Sequence, residues 1–514
     1  LDWLGKFNIH SRKVIIRKSF FLIRFEISLN LTRSKRARTK KFMLKSIFRI
    51  KSKNPEISKE VIILAWPVIF SNISRVMMGL VDMAMVGHLG ASALAATGMG
   101  AMLSWSAIAF AIGLRTGTQT LTSRRLGQKK FNKCGTALHN GLFMALIYGA
   151  PASFFGYVFA DKFVPFFVGG ETGQLCIDYT QVVFLSVITS SLSFIFQGFF
   201  AGIEKTKILM KVSIFSNLIN IYLNAGLIYG TEGLSSFFSS FGVGWLSNIW
   251  GWYFFPALGV KGAAIATVIA SIVSFTLYFI YIFSSDIKKK YNTLSFSYDK
   301  TMMKKQFTLA LPMGTQEVIN SFGWAIFYKI VALIGIVELA ATEIAFQVMH
   351  ASFMPAIGVG QACSTLVGKY MGEKKINKAE ASIVESVRFS EMIMGTVGLF
   401  FIFFPHWIAP LFTVDPEVQR LSIAGIKIIG VLQFFDAVGM TLWFALSGAG
   451  NTIYPAIIES ILIWVFMLPA SYYFGLVLGY GFYAPWVAVF IMIVSFAFLM
   501  AIKINKGDWK DIEV

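Results

Sequence analysis

One long stretch of this chain occurs twice. From Leu64 it reads LAWP, VDMAMVGHLG, LAATG and LGQKKFNK, and from Leu309 it returns as LALP, IVALIGIVELAATE and MGEKKINK. A constant offset of 245 residues joins Pro67 to Pro312, Gly90 to Gly335, Leu94 to Leu339, Gly113 to Gly358 and Gly127 to Gly372. Lys129, Lys130, Asn132 and Lys133 recur as Lys374, Lys375, Asn377 and Lys378. Gap-free matches at Pro, Gly and a basic turn mark a duplicated unit, so both halves must fold alike.

The duplicated unit belongs in a membrane. The 514 residues are 56% hydrophobic and 14% charged, with a mean hydropathy of +0.67, too apolar for a soluble chain of this length. The net charge of +20 lies in short clusters between apolar runs rather than along one amphipathic face. That pattern argues against nucleic acid and for membrane topology with lipid contact. Cys134, Cys176 and Cys363 are scattered, without a CxxC pair, and support neither a disulfide scaffold nor a zinc site.

A membrane-spanning helix needs about 20 mainly apolar residues. The apolar runs predict spans over 60–86, 93–121, 135–158, 174–200, 207–229 and 260–284, then 307–333, 338–366, 383–404, 418–446, 453–475 and 481–503. The fold class expected is an all-α integral membrane protein, twelve helices in two six-helix bundles. Residues 1–56 read as a basic extension whose natural start is Met43, 57–285 as the first lobe, 286–306 as a basic linker, 307–505 as the second lobe and 506–514 as a tail. Arg124, Arg125, Lys129, Lys130, Lys133, Lys205, Lys207, Lys211, Lys288 to Lys290, Lys369, Lys374, Lys375 and Lys378 all fall on one side. The positive-inside rule makes that side, with both termini, cytoplasmic. Six helices per copy relate the lobes by an axis along the membrane normal, with a binding cavity between them. Thr231 to Phe255 has no counterpart in the second copy and reads as an interfacial aromatic hairpin or an external flap.

Charged residues inside apolar spans are costly, about 2.5–3.5 kcal/mol at a helix centre, and mark function by default. Asp82, Glu317 and Asp436 are the candidates. Arg75, two turns before Asp82 on the same face, is placed for a structural ion pair with it. Glu317, with Asn320 one turn on, and Asp436 are suited to Na⁺ or, in a dry site, to a proton. Asn217, Asn220 and Asn224 share one face of the fifth helix and either join helices or complete a polar site beside Asp82. Glu343, Lys329, and the set Glu385, Arg388 and Glu391 read as structural, with Lys329 paired to an acid and the set forming local ion pairs. Phe194, Trp324 and Phe434 are candidates to line a cavity for large apolar cations. No P-loop, HExxH or GxSxG is present, so neither an enzyme nor an ATP-driven pump is expected, and no cofactor.

The chain resembles the multidrug and toxic compound extrusion (MATE) family of cation-coupled antiporters over Ser58 to Lys503. The resemblance rests on Pro67 with Asp82 in VDMAMVGHLG, Leu94-Ala95-Ala96, Gly127 before the basic turn, and Asn220 to Asn224 before LIYG. Gly259 to Thr267 (GVKGAAIAT), Leu411 to Val418 (LFTVDPEV) and Ser447 to Thr452 (SGAGNT) complete it. By that resemblance Asp82 and Asn220 match the family's amino-terminal proton-coupling site, and Asn224 stands where many members carry an aspartate. Asp436 matches the acid of the carboxy-terminal cation site. Asn320 occupies the position of that site's glutamate, for which Glu317 is one turn away, and Leu432 replaces its tyrosine.

The function expected is efflux of amphipathic, cationic small molecules by antiport with Na⁺ or H⁺, through alternating access. The expected setting is the plasma or bacterial inner membrane, as a monomer. The alternatives are a flippase for lipid-linked precursors, for which Arg75, Arg115 and Lys329 supply too few cations, and a non-transporting receptor or scaffold, against which the duplication argues.

Overall fold

The computed structural model describes residues 52–240, 242–251 and 253–514. The basic extension and Met43 therefore lie outside the described residues up to position 51. Among the described residues every regular element is helical. Eleven single helices and one bent pair cross from face to face. The first half comprises α1 (Pro55–Gly87), α2 (Ala91–Gly127), α3 (Phe131–Phe163), α4 (Gly170–Phe184 and Ser186–Gly202, bent by 43°), α5 (Thr206–Ser240) and α6 (Gly259–Ile282). The second comprises α7 (Lys300–Ile334), α8 (Ile336–Gly372), α9 (Ile376–Phe403), α10 (Pro416–Ala449), α11 (Ile453–Val477) and α12 (Tyr483–Lys506).

Ten of these are long and apolar enough to cross a membrane, and α4 makes an eleventh when its two parts are taken together. The twelfth, α8, has 37 residues, the same length as its repeat partner α2, but Glu338, Glu343, Gln347, His350 and Gln361 dilute its apolar run. It is sheltered by packing on α1, α2, α9 and α10. Most helices outrun the expected spans because their polar and basic ends continue past the hydrocarbon.

Breaks in the helices have local causes. Pro67, Pro151, Pro312 and Pro355 each remove one backbone bond within a span. In α11, Leu462–Met467 and Tyr473–Val477 are wide π turns flanking Pro469. Gly230, with φ of 71°, ends the regular part of α5, and 231–240 continues as a separate segment. This segment and the turn Gly244–Trp250 fold back on α5. Trp250 is buried, its ring stacks on Tyr222 at 4.9 Å, and its Nε1 donates to the Tyr222 carbonyl at 2.8 Å. Trp245, Tyr253 and Phe254 stay exposed, as an interfacial belt requires.

All the basic turns share one face, with the start of α1 and the end of α12. The α2–α3 and α8–α9 turns are copies: Lys129 and Lys374 both take the left-handed conformation, at φ of 60° and 59°. Lys130 N donates to Arg125 O at 3.0 Å, and Lys375 N to Tyr370 O at 2.8 Å. The linker is clamped to α3. Asp299 caps α7 by accepting from Met302 N at 3.0 Å, and Lys133 Nζ lies 2.9 Å from it. Asn140 Nδ2 donates to the Asp299 carbonyl at 3.1 Å, and His139 Nε2 meets the Thr293 carbonyl at 2.9 Å.

At this basic face the halves are pressed together through α1, α2, α7 and α8. A Cβ on Gly127 would stand 2.0 Å from Lys369 O, and one on Gly372 2.3 Å from Arg124 O, a reciprocal contact between repeat-equivalent positions. Gln119 Nε2 donates to Gln361 O and Thr365 Oγ1, both at 2.9 Å, and Thr120 Oγ1 to Ser447 O at 3.0 Å. Arg124 Nη2 donates to Ala449 O at 2.9 Å. Lys369 pairs with Glu204 at 2.7 Å, and Tyr370 donates to Glu60 at 2.6 Å.

Gly127→Val and Gly372→Val should each cost about 1–3 kcal/mol by overpacking a backbone contact. Spin labels at Gln128 and Glu373 should report a longer separation in either variant, and an unchanged distance would show that this contact does not hold the halves. Removing the α7 cap with Asp299→Ala should cost about 1 kcal/mol. The Lys133 ammonium and the Met302 amide hold the Asp299 carboxyl below its usual range. A depressed carboxylate stabilises the native state above its unfolded pKa, and that contribution fades as pH falls through the native value. Thermal unfolding of wild type and Asp299→Ala should therefore converge on acidification.

Candidate ion-coupling site

Each half carries its own interior polar group, with one acid in the first and three in the second. In the first, the Asn-rich face of α5 turns toward α1. Ser213 Oγ donates to Ser71 O at 3.3 Å, and Asn217 Nδ2 to Ser74 Oγ at 2.8 Å. Toward the face opposite the basic turns, Asn224 Nδ2 donates to Asp82 Oδ1 at 2.5 Å and to Asn220 Oδ1 at 3.1 Å. Asp82 is half-buried, whereas Asn220 and Asn224 are fully buried. Tyr179 of α4 stands within electrostatic range of Asp82. The three-and-four spacing of the asparagines thus joins helices and builds a polar site at once.

Arg75 is not the partner of Asp82. It faces Tyr278 of α6 and lies near Arg115 of α2. The two-turn spacing puts Arg75 and Asp82 on one helical face, but the separation along the axis is about 10 Å, beyond an ion pair. Asn224, arriving from α5, meets the carboxylate instead.

In the second half, Glu317 and Asn320 of α7, Asp436 of α10 and Glu459 of α11 form the group. Glu459 is within electrostatic range of both Glu317 and Asp436, lies beside Asn320, and accepts from Gln316 Nε2. The three carboxylates are half-buried, Asn320 and Gln316 are buried, and the Asn320 Oδ1 has no partner among the described atoms. Among the described residues no three acids converge closely enough to cage one ion. The group is a spread of negative charge with amides between its members. The signal of Glu459 in the sequence is one acid in the apolar run IYPAIIESILIWVF.

The other candidates separate. Glu343 is exposed and accepts from Gln347 Nε2 at 2.9 Å, apart from the acid group. Lys329 is exposed and makes no ion pair among the described residues, contrary to the pairing expected. Glu385 and Arg388 do pair, at 2.8 Å, and reach Ser52 and Ser58 near the start of α1. Glu391 takes no part in that pair. Trp324 packs edge-on against Phe327 and Phe346, Phe434 against Gly395, and Phe194 is buried in α4. Trp324 and Phe434 keep a partly accessible surface; Phe194 does not.

Comparison with known proteins agrees with this architecture. A probable multidrug resistance protein NorM of Thermotoga maritima is 27% identical over 465 residues, covering 90% of this chain and 95% of its own. The multidrug resistance protein NorM of Vibrio parahaemolyticus is 25% identical, over 88% and 95%. Among solved structures, an outward-facing multidrug resistance MATE transporter superposes with a TM-score of 0.77 at 20% identity, covering 90% of this chain and all of its own. A eukaryotic MATE transporter gives 0.75 at 19%, over 89% and 97%. The model of the MatE family matches residues 67–225 and again 312–473, one match in each copy of the repeat and together more than half of the chain. The chain is a multi-pass membrane protein and belongs to the MatE family.

Proposed function

We propose that the chain exports amphipathic, cationic compounds by antiport with Na⁺ or H⁺, the basic face being cytoplasmic. The single observation that supports this best is the group of Glu317, Asp436 and Glu459: half-buried carboxylates inside the spans, neighboured by amides and, among the described residues, in no ion pair. Membrane-embedded acids without counter-charges are places where a small cation gains energy by arriving. A second such place is Asp82 with Asn220 and Asn224.

The working division is a first lobe over 57–285, a linker over 286–306 and a second lobe over 307–505. Contacts between the lobes concentrate toward the basic face, consistent with a state open to the other side. Coupling requires only that ion and substrate have different affinities for this state and for its reverse. Trp324 and Phe434 offer partly accessible rings near the second acid group for apolar cations. The NorM relatives are named for multidrug resistance, which supports a broad substrate range.

Dye efflux from proteoliposomes under imposed Na⁺ and H⁺ gradients in turn tests the reading. Wild-type protein should export dye under at least one gradient. Asp82→Asn and Asp436→Asn should each cut ion-driven efflux at least tenfold, and Glu459→Gln should cut it comparably. Full activity in all three variants would refute the assignment of the acids, and no gradient-driven efflux by wild type would refute antiport.

A further inference from the structure

Beyond α12 the chain folds back along the basic face. Gly507, left-handed at φ of 79°, ends the helix, and its amide donates to Ile504 O at 3.2 Å. The next turn, Asp508–Asp511, is fastened to the second half. Trp509 is buried in the core that α12 shares with α8, α9 and α10, its Nε1 donating to Ile504 O at 3.0 Å. Lys503 lies 2.6 Å from Asp508, and Lys510 pairs with Glu380 of α9. From Asp511 the side chains alternate: Asp511 and Glu513 are exposed, whereas Ile512 and Val514 are partly covered. Acids out and apolar residues in is the pattern of an extended segment lying on a surface.

That surface belongs to both halves. Ile512 packs on the second-half core, while its carbonyl accepts from Arg124 Nη2 of α2 at 3.4 Å. Val514 packs on a cluster of Leu121 of α2, Ala137 of α3, and Met302 and Leu309 of α7. It also crosses the end of α10, where a Cβ on Gly450 would stand 2.5 Å from Val514 Cγ2. The tail thus bridges the seam that Arg124 closes by donating to Ala449 O at 2.9 Å. Opening the basic face parts α2 from α8 and α10, so the bridge has to come off one half. Its two ends are unequal. A buried Trp and two ion pairs hold the second-half end, against one hydrogen bond and one valine at the first-half end. The first-half end is the one that lets go.

We propose that residues 511–514 form a strap that holds the basic face shut, staying fixed to α9 and α12 and leaving α2 and α3 each time that face opens. The strap rests on the antiport proposed above and adds to it a control on how often the closed face opens, independent of what is bound.

Ser123→Cys provides the reporter. Ser123 is fully buried on α2, and a Cβ on Gly368 of α8 would stand 2.0 Å from its Oγ, so a thiol there meets a reagent only when the basic face opens. Labelling by N-ethylmaleimide is followed peptide by peptide with purified protein in nanodiscs. The buried Cys134 and Cys363, in the cores of the two halves, report unfolding in the same sample. A chain ending at Lys510 should label at the reporter about tenfold faster than the full chain, the weight of one hydrogen bond and one partly covered valine. Val514→Asp should do the same and Val514→Ile should keep the slow rate, with Cys134 and Cys363 unchanged within about twofold throughout. Equal reporter rates with and without residues 511–514 would overturn the strap. So would a parallel rise at Cys134 and Cys363, which would mark loss of packing alone. Labelling needs no gradient, so an absence of gradient-driven efflux beside a strap-dependent reporter would count against antiport and leave the strap standing.

Discussion

The structure depends on one backbone contact, made twice. At the basic face α2 and α8 approach so closely that Gly127 faces Lys369 O and Gly372 faces Arg124 O, with no room for a side chain at either glycine. In a membrane the gain from such an approach is dispersion and hydrogen bonding rather than the exclusion of water. The surrounding bonds follow that logic. Gln119, Thr120 and Arg124 of α2 donate to carbonyls of α8 and α10, and Thr365 of α8 donates to Ala201 O at 3.1 Å. Duplication explains why the contact is reciprocal: a surface copied within one chain can meet itself across a two-fold axis.

The scaffold was duplicated, and the charges were not. Asp82 of the first copy corresponds to Phe327 of the second, a fully buried core residue. Asn72 and Arg75 correspond to Glu317 and Asn320. The same two positions on the first helix of each half therefore carry an amide and a cation in one copy, and an acid and an amide in the other. Asn72, lacking a charge, serves the interface, its Nδ2 donating to Met354 O at 3.3 Å. Glu317 lies beside Glu459 and Asp436. Equivalent positions of one scaffold thus carry opposite polarity in its two halves.

Much of the fold was legible in the sequence because apolar runs, prolines and glycines are local signals. LFTVDPEV is a helix start, with Asp415 Oδ1 accepting from Glu417 N and Val418 N and Pro416 in the first turn, and SGAGNT is a helix end, with Gly450 left-handed at φ of 93°. Hydropathy undercounted helix lengths because it registers the hydrocarbon and not the polar turns beyond it. The Arg75–Asp82 pairing expected from their spacing does not form, because one helix face says nothing about what a neighbouring helix brings to it; the partner of Asp82 is Asn224, 142 positions away. Glu459 is not legible as a site residue for a related reason. A single acid in an apolar run acquires meaning only when tertiary packing sets it beside Glu317, Asp436 and Asn320.

The placement of irregular backbone gives the acids a mechanical setting. Pro67 precedes Asp82 on α1 and Pro312 precedes Glu317 on α7, while on α11 the turns that follow Glu459 widen around Pro469. A proline inside a helix removes one backbone bond, so the segment beyond it tilts at less cost than an unbroken helix would. The basic-face ends of α2 and α8 are instead cross-linked by side chains and by the Gly127 and Gly372 contacts. Asp82 and Glu317 thus stand beyond a proline inside their own helix, where a change of local charge meets less resistance. The strongest inter-half contacts lie where movement would have to break many bonds together.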